Sequence, residues 1–248
     1  MALLELQGVR AGYGTGPDIL TDVSIAVDQG RSYCVIGPNG AGKSTMLKVI
    51  SGLLAPRQGS VVFDGRSIAG RRPDQILAAG ICFVPQDRTV FPDMTVKENL
   101  VMGGYLLRDR DKVHRRLQQV IEIFPVLGER ADQAAQSMSG GEQQMLALGR
   151  ALMIEPKLMM VDEPSLGLAP QAAHQVFATI RRLSGDLGVT ILMVEQNVRM
   201  GLELTDHAFV LDLGTKRFEG DSADLAEDQR IRDLYLGSMA SGGDASNG

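Results

Sequence analysis

The chain has 248 residues, 22% of them charged and 44% hydrophobic, with a formal net charge of −5. That length supports a full hydrophobic core, and the balance is that of a soluble globular protein. The acidic balance argues against the clustered positive surface of a nucleic-acid binder; no apolar stretch reaches the ~18 residues of a bilayer span, no basic-then-apolar leader is expected, and the chain is expected in the cytosol.

Cys34 and Cys82 fall in apolar runs and read as buried, reduced thiols. His114, His174 and His207 lie far apart and lack the spacing of zinc ligands.

Residues Leu3 to Arg10 and Ile19 to Val27 alternate apolar and polar positions and predict two antiparallel strands. Between them stands Tyr13, which on spacing alone reads as a surface tyrosine. Its place ahead of the next loop also suits a stacking platform for a nucleotide base. The apolar run Ser32 to Ile36 then leads into Gly37-Pro38-Asn39-Gly40-Ala41-Gly42-Lys43-Ser44-Thr45, and Met46, Leu47, Ile50, Leu53 and Leu54 follow at helical spacing. Strand, glycine-rich loop and helix in that order are what a phosphate-binding loop requires. Glycines let successive N–H groups point inward, and the helix start offers its dipole to an anion. Lys43 can reach the β/γ-phosphates, and the Ser44 hydroxyl can bind Mg²⁺.

A strand is expected at Ser60 to Phe63, a short helix at Pro73 to Ala79, and a strand at Ile81 to Val84 that ends in Pro85-Gln86. From about 92 to 156 the helical period takes over. Thr95-Val96-Lys97-Glu98 is a capping box for a helix through Leu106. The mixed-charge run Arg108 to Lys112 reads as a solvated loop. Val113, Leu117, Val120, Ile121 and Phe124 mark a second helix stopped by Pro125, and a third starts after Ser139. These predict a helical subdomain inserted into an α/β sheet.

The sheet resumes at Lys157 to Val161, buried on both faces, and leaves it through Asp162-Glu163-Pro164. Two carboxylates at the exit of a buried strand call for a positive partner, which Mg²⁺–ATP supplies. A helix from Pro170, a buried strand Val189 to Val194 ending in Glu195-Gln196-Asn197, a hairpin at His207 to Leu213 and Lys216 to Phe218, and two short helical pieces to about Leu236 complete the expected fold. The tail from Ser238 is expected to be disordered.

Ser139-Gly140-Gly141-Glu142-Gln143 starts a helix with free N–H groups, a hydroxyl and a dipole, the makings of an anion site. It stands about a hundred residues from the phosphate loop, in a different subdomain. The two elements combine naturally if two chains sandwich a nucleotide.

With these motifs in this order, residues 3–236 resemble the ATP-binding cassette ATPases. In that resemblance Tyr13 is the adenine-stacking aromatic, Gly37, Pro38, Asn39, Gly40, Ala41, Gly42, Lys43, Ser44 and Thr45 are Walker A, and Leu158 to Glu163 are Walker B. Gln86 is the Q-loop glutamine, and Ser139, Gly140, Gly141 and Glu142 belong to the signature motif that contacts ATP in the partner chain. The resemblance implies a P-loop NTPase (RecA-like) core over about 1–91 and 157–237, an N-terminal antiparallel β subdomain, a helical subdomain over about 92–156, and a tail at 238–248. It also implies ATP and Mg²⁺ as cofactors, with Ser44, Gln86 and Asp162 at the metal and Glu163, Gln86 and Gln196 in catalysis. Its implied partners are a second, paralogous ATPase chain, two membrane permeases and, indirectly, a periplasmic substrate-binding protein, with no nucleic acid. The implied location is peripheral, on the cytoplasmic face of the inner membrane.

Two positions depart from the general pattern. Gln196 stands where the switch histidine is usual, and Ala169 precedes Pro170 where an aspartate is usual. Glutamine donates a hydrogen bond but carries no titratable proton. Ser165 to Pro170, Val194 to Asn197 and Leu234 to Gly237 are similar to one branch, the second ATP-binding subunit of branched-chain amino acid uptake systems. Urea, other amides and exported lipid remain alternative substrates, and a non-transport cassette ATPase is the alternative from another class.

Overall fold

The computed structural model describes residues 2–87 and 90–231. The expectations for Leu234 to Gly237, for the end of the last helical piece and for the tail lie outside these residues. The chain opens with β1 (Ala2–Ala11) and β2 (Leu20–Asp28), antiparallel, with Leu4 opposite Val27 and Leu6 opposite Ile25. The alternating pattern of β2 buries Val23, Ile25 and Val27 and leaves Asp22-type positions to solvent, the period of a half-buried strand. Next come β3 (Ser32–Ile36), α1 (Lys43–Ile50), β4 (Gln58–Phe63), the short β5 (Arg66–Ser67), α2 (Pro73–Ala79) and β6 (Ile81–Val84).

The helical stretch holds α3 (Val96–Gly103), α4 (Arg110–Ile123), α5 (Pro125–Glu129) and α6 (Gly140–Leu152). The Thr95 box forms as expected: the Glu98 N–H donates to Thr95 Oγ1, and Glu98 accepts from the Thr95 N–H. Three details differ from the sequence reading. Helix α3 stops at Gly103 rather than Leu106, because the Gly103-Gly104 pair ends it and a Cβ on Gly103 would stand 2.3 Å from the Arg150 carbonyl. Arg108 to Lys112 is not simply a solvated loop: Asp109 caps α4 by accepting from the Asp111 N–H, and Arg110 to Lys112 form its first turn. Pro125 ends one helix and begins another, since proline at N1 gives up no intrahelical bond.

The chain returns through β7 (Leu158–Asp162), α7 (Pro170–Gly185), β8 (Thr190–Val194), α8 (Val198–Leu204), β9 (His207–Asp212), β10 (Thr215–Asp221), α9 (Ser222–Glu227) and α10 (Gln229–Ile231). Among the described residues the strands form one sheet in the order β5-β4-β1-β2-β10-β9-β3-β8-β7-β6. Its first part is antiparallel; β9, β3, β8, β7 and β6 run parallel.

Strands β3, β7 and β8 are buried along their whole length, as their apolar runs require. Their two faces feed two cores. Cys34, Ile36, Met159, Val161, Ile191 and Met193 pack with the helical stretch through Leu100, Leu117 and Leu146. Val35, Met160, Leu192 and Val194 pack on the other face with Met46, Leu47 and Ile50 of α1. Both cysteines are free thiols; Cys34 is buried as expected, whereas Cys82 is only half-buried, although desolvation still pushes it up to about 11. No helix of the described residues is long and apolar enough to cross a membrane.

Candidate functional site

Because β3, β8, β7 and β6 are parallel, their carboxyl ends open on one edge of the sheet, where ligands of α/β proteins bind. Val35 pairs with Val194, Val194 with Asp162, and Val161 with Val84. The residues two positions beyond those four valines are Gly37, Gln196, Glu163 and Gln86. Adjacent strands lie about 4.8 Å apart, so the four line a short strip. Two backbone bonds carry the row past the strands: the Glu195 N–H donates to the Val35 carbonyl (3.3 Å) and the Glu163 N–H to the Val194 carbonyl (2.8 Å).

The phosphate-loop segment wraps the end of β3 and enters α1. At Gly37 the backbone has φ 152° and an added Cβ would stand 2.1 Å from the Leu211 carbonyl oxygen. Gly42, the N-cap of α1, has φ 99°, and a Cβ there would stand 2.6 Å from Leu20 Cδ2. Both positions demand glycine. Lys43 is buried, and its Nζ donates to the carbonyls of Gly37 (2.8 Å) and Pro38 (3.1 Å). Its ammonium therefore sits inside the curl of the loop. Burial pushes the lysine below its ordinary range, and the Glu163 and Asp162 charges oppose that shift.

Opposite the loop, the Ser44 hydroxyl donates to Asp162 Oδ1 at 3.2 Å. Asp162 is 4% exposed. Burial raises its carboxyl above the usual range; the Ser44 bond lowers it and the neighbouring Glu163 charge raises it further. The Ser44 hydroxyl and the buried Asp162 carboxylate supply oxygen donors of the kind a small hard cation takes, and Gln86 stands just past the end of the neighbouring strand β6. Among the described residues no group of three or more His, Cys, Asp or Glu could hold a metal. Gln86 Nε2 donates to Glu163 Oε2 at 3.2 Å, across 77 positions of sequence. Glu163 has φ 45°, a left-handed backbone that glutamate rarely adopts and that strains the residue by about 1 kcal/mol or more. Tyr13 is 46% exposed and lies beside α1: Lys48 Nζ is 5.5 Å from its ring centre and donates to its hydroxyl at 3.3 Å.

The segment Ser139 to Glu142 stands at the start of α6. Ser139 is its N-cap, accepting from the Glu142 N–H at 3.4 Å while the Glu142 carboxylate accepts from the Ser139 N–H at 2.8 Å. Glu142 also pairs with Arg130 at 2.8 Å. A Cβ on Gly141 would stand 2.9 Å from the Ala172 Cβ in the first turn of α7, so only a glycine lets α6 start this close to α7. The structure thus gathers Gly37 to Thr45, Gln86, Asp162 and Glu163 through direct bonds or adjacent strand ends. The Ser139 to Glu142 cap makes its bonds within its own helix and to Arg130.

Gln196 is exposed at the end of β8. The residue before it was not singled out by the sequence reading. Glu195 is 2% exposed, and its carboxylate accepts from the Ser165 hydroxyl (3.0 and 3.1 Å) and from the N–H groups of Gln196 and Asn197 (both 3.1 Å). A charged residue directly after the four buried apolar residues Ile191 to Val194 was the available signal. Helix α8, capped by Asn197 through the Met200 N–H, was also unread.

Comparison with known proteins returns one consistent result. The model of the family described as ABC transporter matches residues 20–166. The high-affinity branched-chain amino acid transport ATP-binding protein of Pseudomonas aeruginosa is 45% identical over 235 residues, covering 95% of this chain and 100% of that protein. A probable branched-chain amino acid transport ATP-binding protein of Archaeoglobus fulgidus is 38% identical over 235 residues, covering 95% and 99%. Among solved structures, the ADP conformation of an ATP-binding cassette of an ABC transporter superposes with a TM-score of 0.85 at 30% identity, covering 96% of this chain and 99% of that one.

Proposed function

The chain belongs to the ABC transporter family, and from that premise we propose that it is the ATP-hydrolysing subunit of an importer of branched-chain amino acids. The observation that carries the reading is the convergence of the phosphate loop, Ser44–Asp162 and Gln86–Glu163 on one sheet edge. The near-complete mutual coverage with the Pseudomonas protein supports the substrate class.

ATP lies with its base against Tyr13 and its phosphates in the loop from Gly37 to Thr45. Lys43 exchanges the carbonyls of Gly37 and Pro38 for β- and γ-phosphate oxygens, which are stronger acceptors for an ammonium. Ser44, Asp162 and Gln86 would hold Mg²⁺, which when bound neutralises charge on the phosphates. Glu163 orients a water and takes its proton as the oxygen attacks the γ-phosphorus and the bond to the bridging oxygen of ADP breaks. Gln86 holds that carboxylate through its amide N–H. The Gln196 amide donates toward the γ-phosphate from the end of β8.

A second, paralogous cassette closes over the nucleotide with its own cap at the position of Ser139, Gly140, Gly141 and Glu142. Motion passes to two membrane permeases, fed by a periplasmic binding protein, and the chain sits peripherally on the cytoplasmic face of the inner membrane. A cavity of about 720 Å³ between β6, α2, α3 and α6 supports that docking, with Leu53, Phe91, Met102 and Tyr105 exposed along it. The cavity borders the strand that delivers Gln86, which links docking to the site. Deleting the gene and measuring uptake of radiolabelled leucine, isoleucine and valine tests the reading. Loss of all three, restored by the wild-type chain and not by Lys43→Ala, is expected. Unchanged uptake in a strain without a second such system would refute the substrate class.

A further inference from the structure

Glu195 is a buried carboxylate outside the groups assigned above. Its acceptor oxygens meet three donors from two loops. One is the Ser165 hydroxyl, two residues past Glu163, in a turn closed by the Leu166 N–H on the Glu163 carbonyl (3.1 Å). The others are the N–H groups of Gln196 and Asn197. Glu163 itself is held at a left-handed φ of 45° with its N–H on the Val194 carbonyl, the residue next to Glu195. A strained residue keeps its conformation only when its surroundings over-determine it. Three converging donors call for an acceptor-only group, which a carboxylate is and an amide is not.

We propose that Glu195 is a positioning residue for ATP hydrolysis: its carboxylate clamps the loop carrying Glu163 to the loop carrying Gln196, so that both face the terminal phosphate in a fixed relation. This rests on the nucleotide reading of the site. Among the described residues neither Glu195 nor Ser165 hydrogen-bonds to the phosphate loop, and the Glu195 charge is the weakest of the influences on Lys43, so the clamp acts on turnover more than on binding. Misplacing a reacting group by about 1 Å can cost on the order of 100-fold in rate.

The test is steady-state ATP hydrolysis by the transporter purified with its membrane partners, together with the affinity for a fluorescent ATP analogue. Glu195→Ala should lower kcat about 30- to 100-fold while KM and analogue affinity stay within about twofold. Ser165→Ala, which deletes one oxygen from a partly exposed side chain, should lower kcat about 5- to 10-fold with the same unchanged KM. The double variant should be no slower than Glu195→Ala, because both changes open one clamp. Unchanged kcat in Ser165→Ala, losses that multiply in the double variant, or nucleotide affinity falling in step with kcat would each overturn the clamp. If Glu195→Ala does not fold, Ser165→Ala decides alone. A wild-type complex that hydrolyses no ATP overturns the nucleotide reading and the clamp with it; an active wild type with unaltered variants overturns the clamp alone.

Discussion

Replacing Glu163 by glutamine removes the proton acceptor and leaves almost everything else in place. Glutamine has the same length and inherits the same left-handed backbone at φ 45°, so the strain is carried over and folding stability barely changes. Its amide can keep a hydrogen bond with Gln86, which now donates 3.2 Å to Oε2. A positioned general base contributes about 10²- to 10⁴-fold. Loss of its middle value, about 10³-fold, raises the barrier by about 4 kcal/mol at about 1.4 kcal/mol per decade. Binding moves the other way. Asp162 is buried with its carboxyl raised by desolvation and by the Glu163 charge, so deleting that charge relieves an anion crowded beside the phosphates. Single-turnover hydrolysis of radiolabelled ATP should therefore fall about a thousandfold while ATP still binds. Gel filtration should show a nucleotide-trapped dimer. Hydrolysis within about tenfold of wild type would remove Glu163 from its role.

Three further outcomes follow from the same geometry. Lys43→Ala deletes a buried ammonium and should weaken a fluorescent ATP analogue by about 10- to 100-fold, the worth of one charge-assisted hydrogen bond; unchanged affinity contradicts the phosphate-loop assignment. Gln196→His should leave hydrolysis comparable or higher if residue 196 faces the γ-phosphate, and an ATP-bound structure with that residue far away refutes the alignment. Ala169 is the N-cap of α7 and makes no side-chain cap bond, so Ala169→Asp should add about 1 kcal/mol and raise Tm by about 2–4 °C; a lower Tm in calorimetry would show that this helix start tolerates no carboxylate.

Much of the site was legible because its chemistry is local. The proposed phosphate loop is nine consecutive residues, with Gly37, Gly40 and Gly42 at positive φ and Gly37 also crowded by the Leu211 carbonyl. Strands β7 and β8 announced themselves as apolar runs buried on both faces. The Thr95 box is a four-residue pattern and formed as read. What stayed hidden depends on contacts distant in sequence or on ambiguous residues. Nothing near Gln86 says that its amide reaches Glu163, because only the parallel register of β6 with β7 brings them together. Pro125 signals a stop and a start equally, and the start of α5 was lost in that ambiguity. Asp109 reads as a loop charge until it is seen to cap α4. Glu195 looked like the polar end of a strand, and its bond to Ser165, thirty residues earlier in the chain, is visible only in the folded structure.

The proposal that this site drives amino-acid import is met most directly in liposomes. The chain is reconstituted with its permeases and second ATPase, ATP is sealed on the cassette side, and leucine-loaded binding protein is supplied on the other. Accumulation of radiolabelled leucine and release of phosphate are followed together. The expected result is leucine accumulation that requires ATP, phosphate release stimulated by the loaded binding protein, and loss of both with Glu163→Gln. Leucine accumulation that persists with Glu163→Gln, or phosphate release indifferent to the loaded binding protein, would contradict it.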